Sequence, residues 1–205
     1  MIKIIDYKAG NAPSVLHAVQ RLKLQAELAA SPDSLTDASY IILPGVGSAG
    51  ATMMSLQESG MIDALTEYVT NKKIPFLGVC VGMQVLFEHS EEDDAECFGW
   101  LKGCVRKYDT KLVRVPQMGW NQVRFVNETP INADEGYFYF VNSYYAEPED
   151  SNNIWGMAEY GGSFAAAVRG DNIYGTQFHV EKSGEAGLKL LKGFLSLNVS
   201  RRETC

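Results

Sequence analysis

Three short stretches of this 205-residue chain carry residue types that could do chemistry together. The first is Pro75-Phe-Leu-Gly-Val-Cys80-Val-Gly-Met-Gln84. An apolar strand pattern runs into Gly78-x-Cys80-x-Gly82 and a helical pattern follows, the cysteine form of a nucleophile elbow. A thiol at a helix N-terminus meets free backbone N–H groups and the positive end of the helix dipole, and both favour the thiolate. The second stretch is Gly175-Thr-Gln-Phe-His179-Val-Glu181-Lys-Ser183-Gly, in which a strand ends in a histidine and a glutamate follows two residues later. A nucleophilic thiol needs a base to take its proton, and the base needs an acidic partner to fix its tautomer. His179 and Glu181 have that chemistry. The third stretch is Leu43-Pro-Gly45-Val-Gly47-Ser-Ala-Gly50, a loop able to aim backbone N–H groups at a developing oxyanion. It lacks the Gly-Lys-Ser/Thr ending of a phosphate-binding Walker loop. Nucleophile, base with orienter and oxyanion loop together describe acyl transfer through a thioester.

Elements that could position these groups are readable in the pattern. Ile2–Asp6, Gln25–Ala30, Tyr40–Leu43 and Pro75–Val79 read as strands. A helical stripe of Val15, Ala18, Val19 and Leu22 fills Asn11–Leu22, with Pro13 in the first turn, where its missing N–H does no harm. Met61–Lys72 reads as a helix with Ile62, Leu65 and Val69 on one face, and Val81–Glu88 also reads as helical. This alternation predicts an α/β fold with a parallel sheet covered on both faces. Cys80 and His179 then fall at the C-terminal edge of the strands, where open α/β sheets bind ligands.

The second half reads as strands with short turns: Gly103–Tyr108, Gln122–Val126, Tyr137–Tyr145, Ile154–Tyr160, Phe164–Arg169 and Asn172–Phe178. They predict antiparallel additions to the same sheet or a small second sheet. Glu91–Glu96 reads as an acidic loop, Gly187, Leu190, Leu191 and Phe194 mark a closing helix, and Arg201–Cys205 reads as a frayed tail. The expected organisation is one domain over residues 1–205 with a mixed, mostly parallel sheet.

The net charge of −7 leaves no electrostatic footprint for nucleic acid. No apolar run approaches the roughly 20 residues of a membrane span. The first residues follow a strand pattern without a signal peptide's basic head, so a cytoplasmic location is expected. Cys80, Cys97, Cys104 and Cys205 include no Cys-x-x-Cys pair, and only three histidines are present, so neither zinc nor a disulfide framework is expected. No metal or organic cofactor is indicated.

Further motifs accompany the three: Ile5-Asp-Tyr-x-x-Gly-Asn11, Ser90-Glu-Glu92, Met118-Gly-Trp-Asn121 and Tyr139-Phe-Val-x-Ser-Tyr-Tyr145. The set spans nearly the whole chain. It resembles the class I (triad) glutamine amidotransferases, and most closely the HisH family, the glutaminase subunits of imidazole glycerol phosphate synthase. The resemblance implies a single-domain, flavodoxin-like amidotransferase fold acting on L-glutamine. It implies that Cys80 attacks the carboxamide, His179 shuttles the proton and Glu181 orients His179. Gly47 and the backbone at Val81 would stabilise the oxyanion. Gln84, Glu92 and the Ser143–Tyr144 backbone would hold the amino-acid end of glutamine, a carboxylate suiting its ammonium and N–H groups its carboxylate. Asn11 and the Met118–Asn121 loop, including Trp120, would face a cyclase subunit with a (β/α)8 barrel in a heterodimer. No nucleic-acid or membrane partner is implied.

Four positions depart from the family pattern: Lys8 where glycine is usual, Asn142 where histidine is usual, Ala49 where phenylalanine is common and Val180 where proline is frequent. Lys8 and Asn142 fall in segments expected near the partner face and away from the catalytic trio. They leave open an alternative in which the same glutaminase chemistry serves another synthase, such as a surface-sugar amidotransferase.

Overall fold

The computed structural model describes residues 1–8, 11–131 and 133–197. In chain order the elements begin β1 (Ile2–Ile5), α1 (Ala12–Arg21), β2 (Ala26–Ala29), β3 (Tyr40–Gly45), α2 (Ala49–Glu58), α3 (Met61–Thr66), β4 (Phe76–Cys80) and the single turn α4 (Val81–Gln84). There follow β5 (His89–Ser90), β6 (Ala95–Glu96), β7 (Gly103–Lys107), β8 (Gln117–Phe125), β9 (Gly136–Asn142) and β10 (Tyr144–Pro148). Last come β11 (Ile154–Glu159), β12 (Ser163–Arg169), β13 (Ile173–Thr176) and α5 (Gly184–Phe194).

The sheet runs β2-β1-β3-β4-β13-β12-β10-β7-β5-β6. Its first five strands are parallel. β12 turns antiparallel to β13 and opens the antiparallel part, from which β11, β8 and β9 branch as a ribbon. Every residue of β1 and β4 is buried. Successive strand side chains point to opposite faces, so wholly buried strands mean that both faces of the sheet are covered. α1 supplies part of that cover by burying Ala12, Val15, Ala18 and Val19. An aromatic cluster of Phe138, Phe140 and Phe178 joins the ribbon to the segment after β13.

Several elements differ from the sequence reading. Tyr137–Tyr145 is two strands, not one: β9 pairs with β8, β10 pairs with β7, and Ser143 is the break between them. The alternating aromatic pattern continues across the break, so only tertiary pairing reveals it. Met118–Asn121 is part of strand β8 and not a loop. Helix α4 ends at Gln84, four residues short of Glu88. Leu86 N–H and Phe87 N–H bond three residues back, and Glu88 N–H leaves for the Gly103 carbonyl. After Thr66 the α3 helix widens into a π turn, with Lys72 N–H reaching the Glu67 carbonyl. Thr66 and Thr70 hydroxyls bond the carbonyls four residues back, a local competition that disturbs regular α geometry. The acidic segment Glu91–Glu96 holds a short 3₁₀ turn and strand β6. The expected tail Arg201–Cys205 lies outside the described residues. Among the described residues no helix is long and apolar enough to cross a membrane.

Candidate active site

Three neighbouring parallel strands deliver the three chemical stretches to one edge. Gly45 at the end of β3 lies opposite Cys80, and Thr176 at the end of β13 lies opposite Val79. The loop after β3, the thiol ending β4 and the histidine following β13 are therefore side by side. Cys80 has φ 56° and ψ −112°, a conformation that L residues rarely adopt and that the surroundings must hold in place. The turn is possible because of its glycines. A Cβ at Gly78 would stand 2.2 Å from the Gly82 carbonyl oxygen, and one at Gly82 would stand 2.0 Å from that of Leu43.

His179 is 2% exposed. Its backbone N–H donates to the Tyr139 carbonyl at 2.9 Å. Ser183 fixes the same turn: its hydroxyl donates to the His179 carbonyl at 2.6 Å and accepts from Tyr139 N–H at 3.0 Å. Nδ1 of the imidazole lies 2.8 Å from Glu181 Oε1, which leaves Nε2 for the Cys80 sulfur, its other side-chain partner. Burial is the largest single influence on the imidazole and lowers its pKa. The hydrogen bonds to Cys80 and Glu181 together outweigh it and push the value up to about 9. A buried carboxylate so placed can fix the imidazole tautomer and favours its protonated form.

Cys80, His179, Gly47, Val81, Gln84 and Glu92 share one cavity of about 280 Å³, closed on its far side by Val141–Tyr144. Gly47 has φ +105°, so its peptide takes an orientation open chiefly to glycine.

The sequence matches the family model "Glutamine amidotransferase class-I" over residues 3–197. An imidazole glycerol phosphate synthase subunit HisH of Leptospira interrogans is 43% identical, over 96% of this chain and all of that protein. The HisH subunit of Herpetosiphon aurantiacus is 44% identical, over 98% and 96% of the two chains. This chain belongs to the HisH family of class I glutamine amidotransferases. Two solved structures share the fold. A glutamine amidotransferase crystal structure superposes with a TM-score of 0.77 at 17% identity, covering 95% of this chain and 96% of the other. PurLQS from Thermotoga maritima superposes with a TM-score of 0.76 at 18% identity, with the same coverage.

In this HisH chain the residues expected around glutamine converge on the cavity. Glu92 is half-buried and accepts a hydrogen bond from Ala49 N–H at 3.0 Å. Burial raises its pKa, against the opposing pull of that N–H. Ala49, the departure from phenylalanine, is buried and serves Glu92 through its backbone. Gln84 is 2% exposed, and its Oε1 is buried without a partner among the described residues. Asn142 also stands in the cavity wall. It is buried and donates to the Tyr108 hydroxyl at 3.2 Å and the Tyr144 carbonyl at 3.0 Å. Val180 is buried in the turn between His179 and Glu181. Lys8 is exposed at φ 66°, a left-handed conformation that explains why glycine is usual there.

The four residues expected at a partner surface divide. Met118 and Trp120 are 67% and 56% exposed on β8, beside Tyr137 at 61% on β9. Asn121 is half-buried, and its Nδ2 donates to the Glu159 carbonyl at 2.9 Å. Asn11 is half-buried with its Nδ2 donating to Glu181 Oε1, the oxygen that also holds His179. The reading of the motifs assigned no role to Gln177 or Ser183. A glutamine in the middle of an otherwise apolar buried strand end was the available signal for the first.

Proposed function

We propose that this chain hydrolyses L-glutamine to glutamate and ammonia, and that the ammonia passes to a cyclase subunit with a (β/α)8 barrel. That subunit makes imidazole glycerol phosphate and AICAR in histidine biosynthesis. The observation that carries the reading is the buried run Glu181–His179–Cys80 beside a cavity of about 280 Å³, in a chain over 40% identical to HisH subunits.

His179 takes the Cys80 proton, and the thiolate sulfur bonds to the side-chain carbonyl carbon of glutamine. The carbonyl oxygen becomes an oxyanion facing the N–H groups of Gly47 and Val81. The imidazolium then gives its proton to the leaving nitrogen, the C–N bond breaks, ammonia departs and a thioester remains. Water, deprotonated by His179, attacks the thioester carbon, and the C–S bond breaks to release glutamate and restore the thiol. Glu92 and the buried Gln84 carbonyl accept from the substrate ammonium, and backbone N–H groups at Ser143–Tyr144 receive its carboxylate. The partner docks over Met118 and Trp120, with Asn121 at its margin. Asn11 bonds the carboxylate of Glu181.

The Cys80→Ala variant, assembled with its synthase partner, tests the reading. Glutamine-dependent turnover should fall by at least about a thousand-fold, while turnover on added ammonium persists. Full glutamine turnover by that variant would falsify the thioester route.

A further inference from the structure

A buried pair of side-chain amides connects the cavity to the nucleophile. Gln84 Nε2 donates to the Tyr144 carbonyl at 3.1 Å and to Gln177 Oε1 at 3.0 Å. Gln177 Nε2 in turn lies 3.6 Å from the Cys80 sulfur. The direction of this relay is fixed by chemistry. A backbone carbonyl only accepts, so the Gln84 NH₂ must face Tyr144. The same NH₂ can meet only an acceptor on Gln177, so the Gln177 carbonyl turns toward Gln84 and its NH₂ toward the sulfur. Gln177 is completely buried and Gln84 nearly so, which leaves water no part in choosing the orientation.

The sulfur receives two opposing influences besides His179. Its S–H points to the Val141 carbonyl at 3.7 Å, a contact available only to the protonated thiol. The Gln177 N–H donates to sulfur in either state and does so more strongly to the anion, because hydrogen bonds to charged groups exceed those to neutral ones. At the far end the relay finishes at Gln84 Oε1, a buried acceptor on a cavity-lining residue, with no partner among the described residues.

We infer that Gln177 is a further catalytic residue of this amidotransferase: its amide, locked by Gln84, hydrogen-bonds the Cys80 thiolate and stabilises it as the attacking species. The inference rests on the glutaminase reading for its catalytic meaning, but the state of the sulfur can be measured without turnover.

The test is the pH profile of iodoacetamide alkylation, followed at the Cys80 peptide by mass spectrometry on the full chain. Gln177→Met keeps the volume and removes the donor. Gln177→Glu keeps an acceptor for Gln84 but sets a carboxylate against the sulfur. The half-maximal pH should move upward by about one unit in Gln177→Met and further in Gln177→Glu. In the assembled complex kcat for glutamine should fall at least ten-fold, with KM changed by less than about two-fold. If Gln177→Met does not fold, as judged by circular dichroism, Gln177→Glu carries the test alone. An alkylation profile that stays at the wild-type pH in a folded variant overturns the inference. Loss of the glutaminase reading has a different signature: wild-type protein inert toward glutamine in the complex, whatever the alkylation profile.

Discussion

At the C-terminal ends of β3, β4 and β13, polar side chains are inside: Gln84, Gln177, His179 and Ser183 are each no more than 2% exposed. On the β8–β9 ribbon, large apolar side chains are outside: Met118, Trp120 and Tyr137 are each more than half exposed. Each region inverts the usual partition of a soluble domain, and such inversions are the informative ones. Burial of a polar group costs free energy unless it is hydrogen-bonded. At the strand ends the cost is offset by a connected set of bonds that also aims a histidine and a thiol. On the ribbon none of the described residues covers the exposed apolar area, so a partner's cover is its natural complement. Within the first region three buried oxygens, Gln84 Oε1, Asn142 Oδ1 and Glu181 Oε2, stay without a partner among the described residues, and the second region is the face on which we propose that the partner docks.

The comparison breaks first at Glu181. Glu181→Gln keeps the shape of the carboxylate but removes the charge that steadies the imidazolium and fixes its tautomer. Glutamine turnover in the complex should fall about a thousand-fold or more, with partner affinity unchanged by titration calorimetry. A loss of less than ten-fold would mean that His179 is oriented by its backbone bonds to Tyr139 and Ser183 alone.

The opposite break is at Trp120. Trp120→Ala should weaken binding to the synthase subunit by roughly thirty-fold, the scale of an aromatic anchor. It should leave the unfolding free energy of the free chain within about 0.5 kcal/mol of wild type, because the side chain is exposed. Calorimetry and urea unfolding check the two halves. Unchanged affinity would move the interface off the ribbon.

Asn11 sharpens the comparison because it belongs to neither region alone. Its place in the motif suggested the partner side, and its amide bonds the triad glutamate. Asn11→Ala should lower kcat about ten-fold, a hydrogen bond to a charged group being worth roughly 1.5–3 kcal/mol at most. A change confined to partner affinity, with kcat intact, would assign Asn11 wholly to the interface.

Much of the first region was legible in the sequence, and the reason is geometric. A cysteine between two glycines at a strand-to-helix junction needs those glycines because Gly78 and Gly82 touch backbone. The histidine and glutamate two residues apart are set by a local turn. Less legible was anything decided by distant pairing. The break at Ser143 lies inside a run whose alternation suits a continuous strand, and only the change of partner from β8 to β7 creates it. Asn142 is drawn into the cavity wall by that same break. The role of Gln177 depends on Gln84, 93 residues away in the chain. The ribbon was half legible: Trp120 and Met118 stood out as a motif, but their strand began five residues earlier than the pattern suggested, at Gln117.

Stability also responds to pH within the buried region. His179 titrates at about 9 in the folded chain against an ordinary value of 6.5. Between those two values the native state holds a proton that the unfolded state has released. The sign follows from linkage: fewer protons bound in the unfolded state means that the unfolding free energy falls as pH rises. The contribution is whole below about pH 6.5 and is lost as pH climbs through 9. One proton limits the slope to at most about 1.4 kcal/mol per pH unit. Urea unfolding of the free chain across that window should show the decline, and His179→Gln should flatten it. Trp120→Ala should leave the decline untouched, because no titrating group depends on the exposed ring. A decline that survives His179→Gln would place the linked proton elsewhere and detach the buried network from the pH dependence.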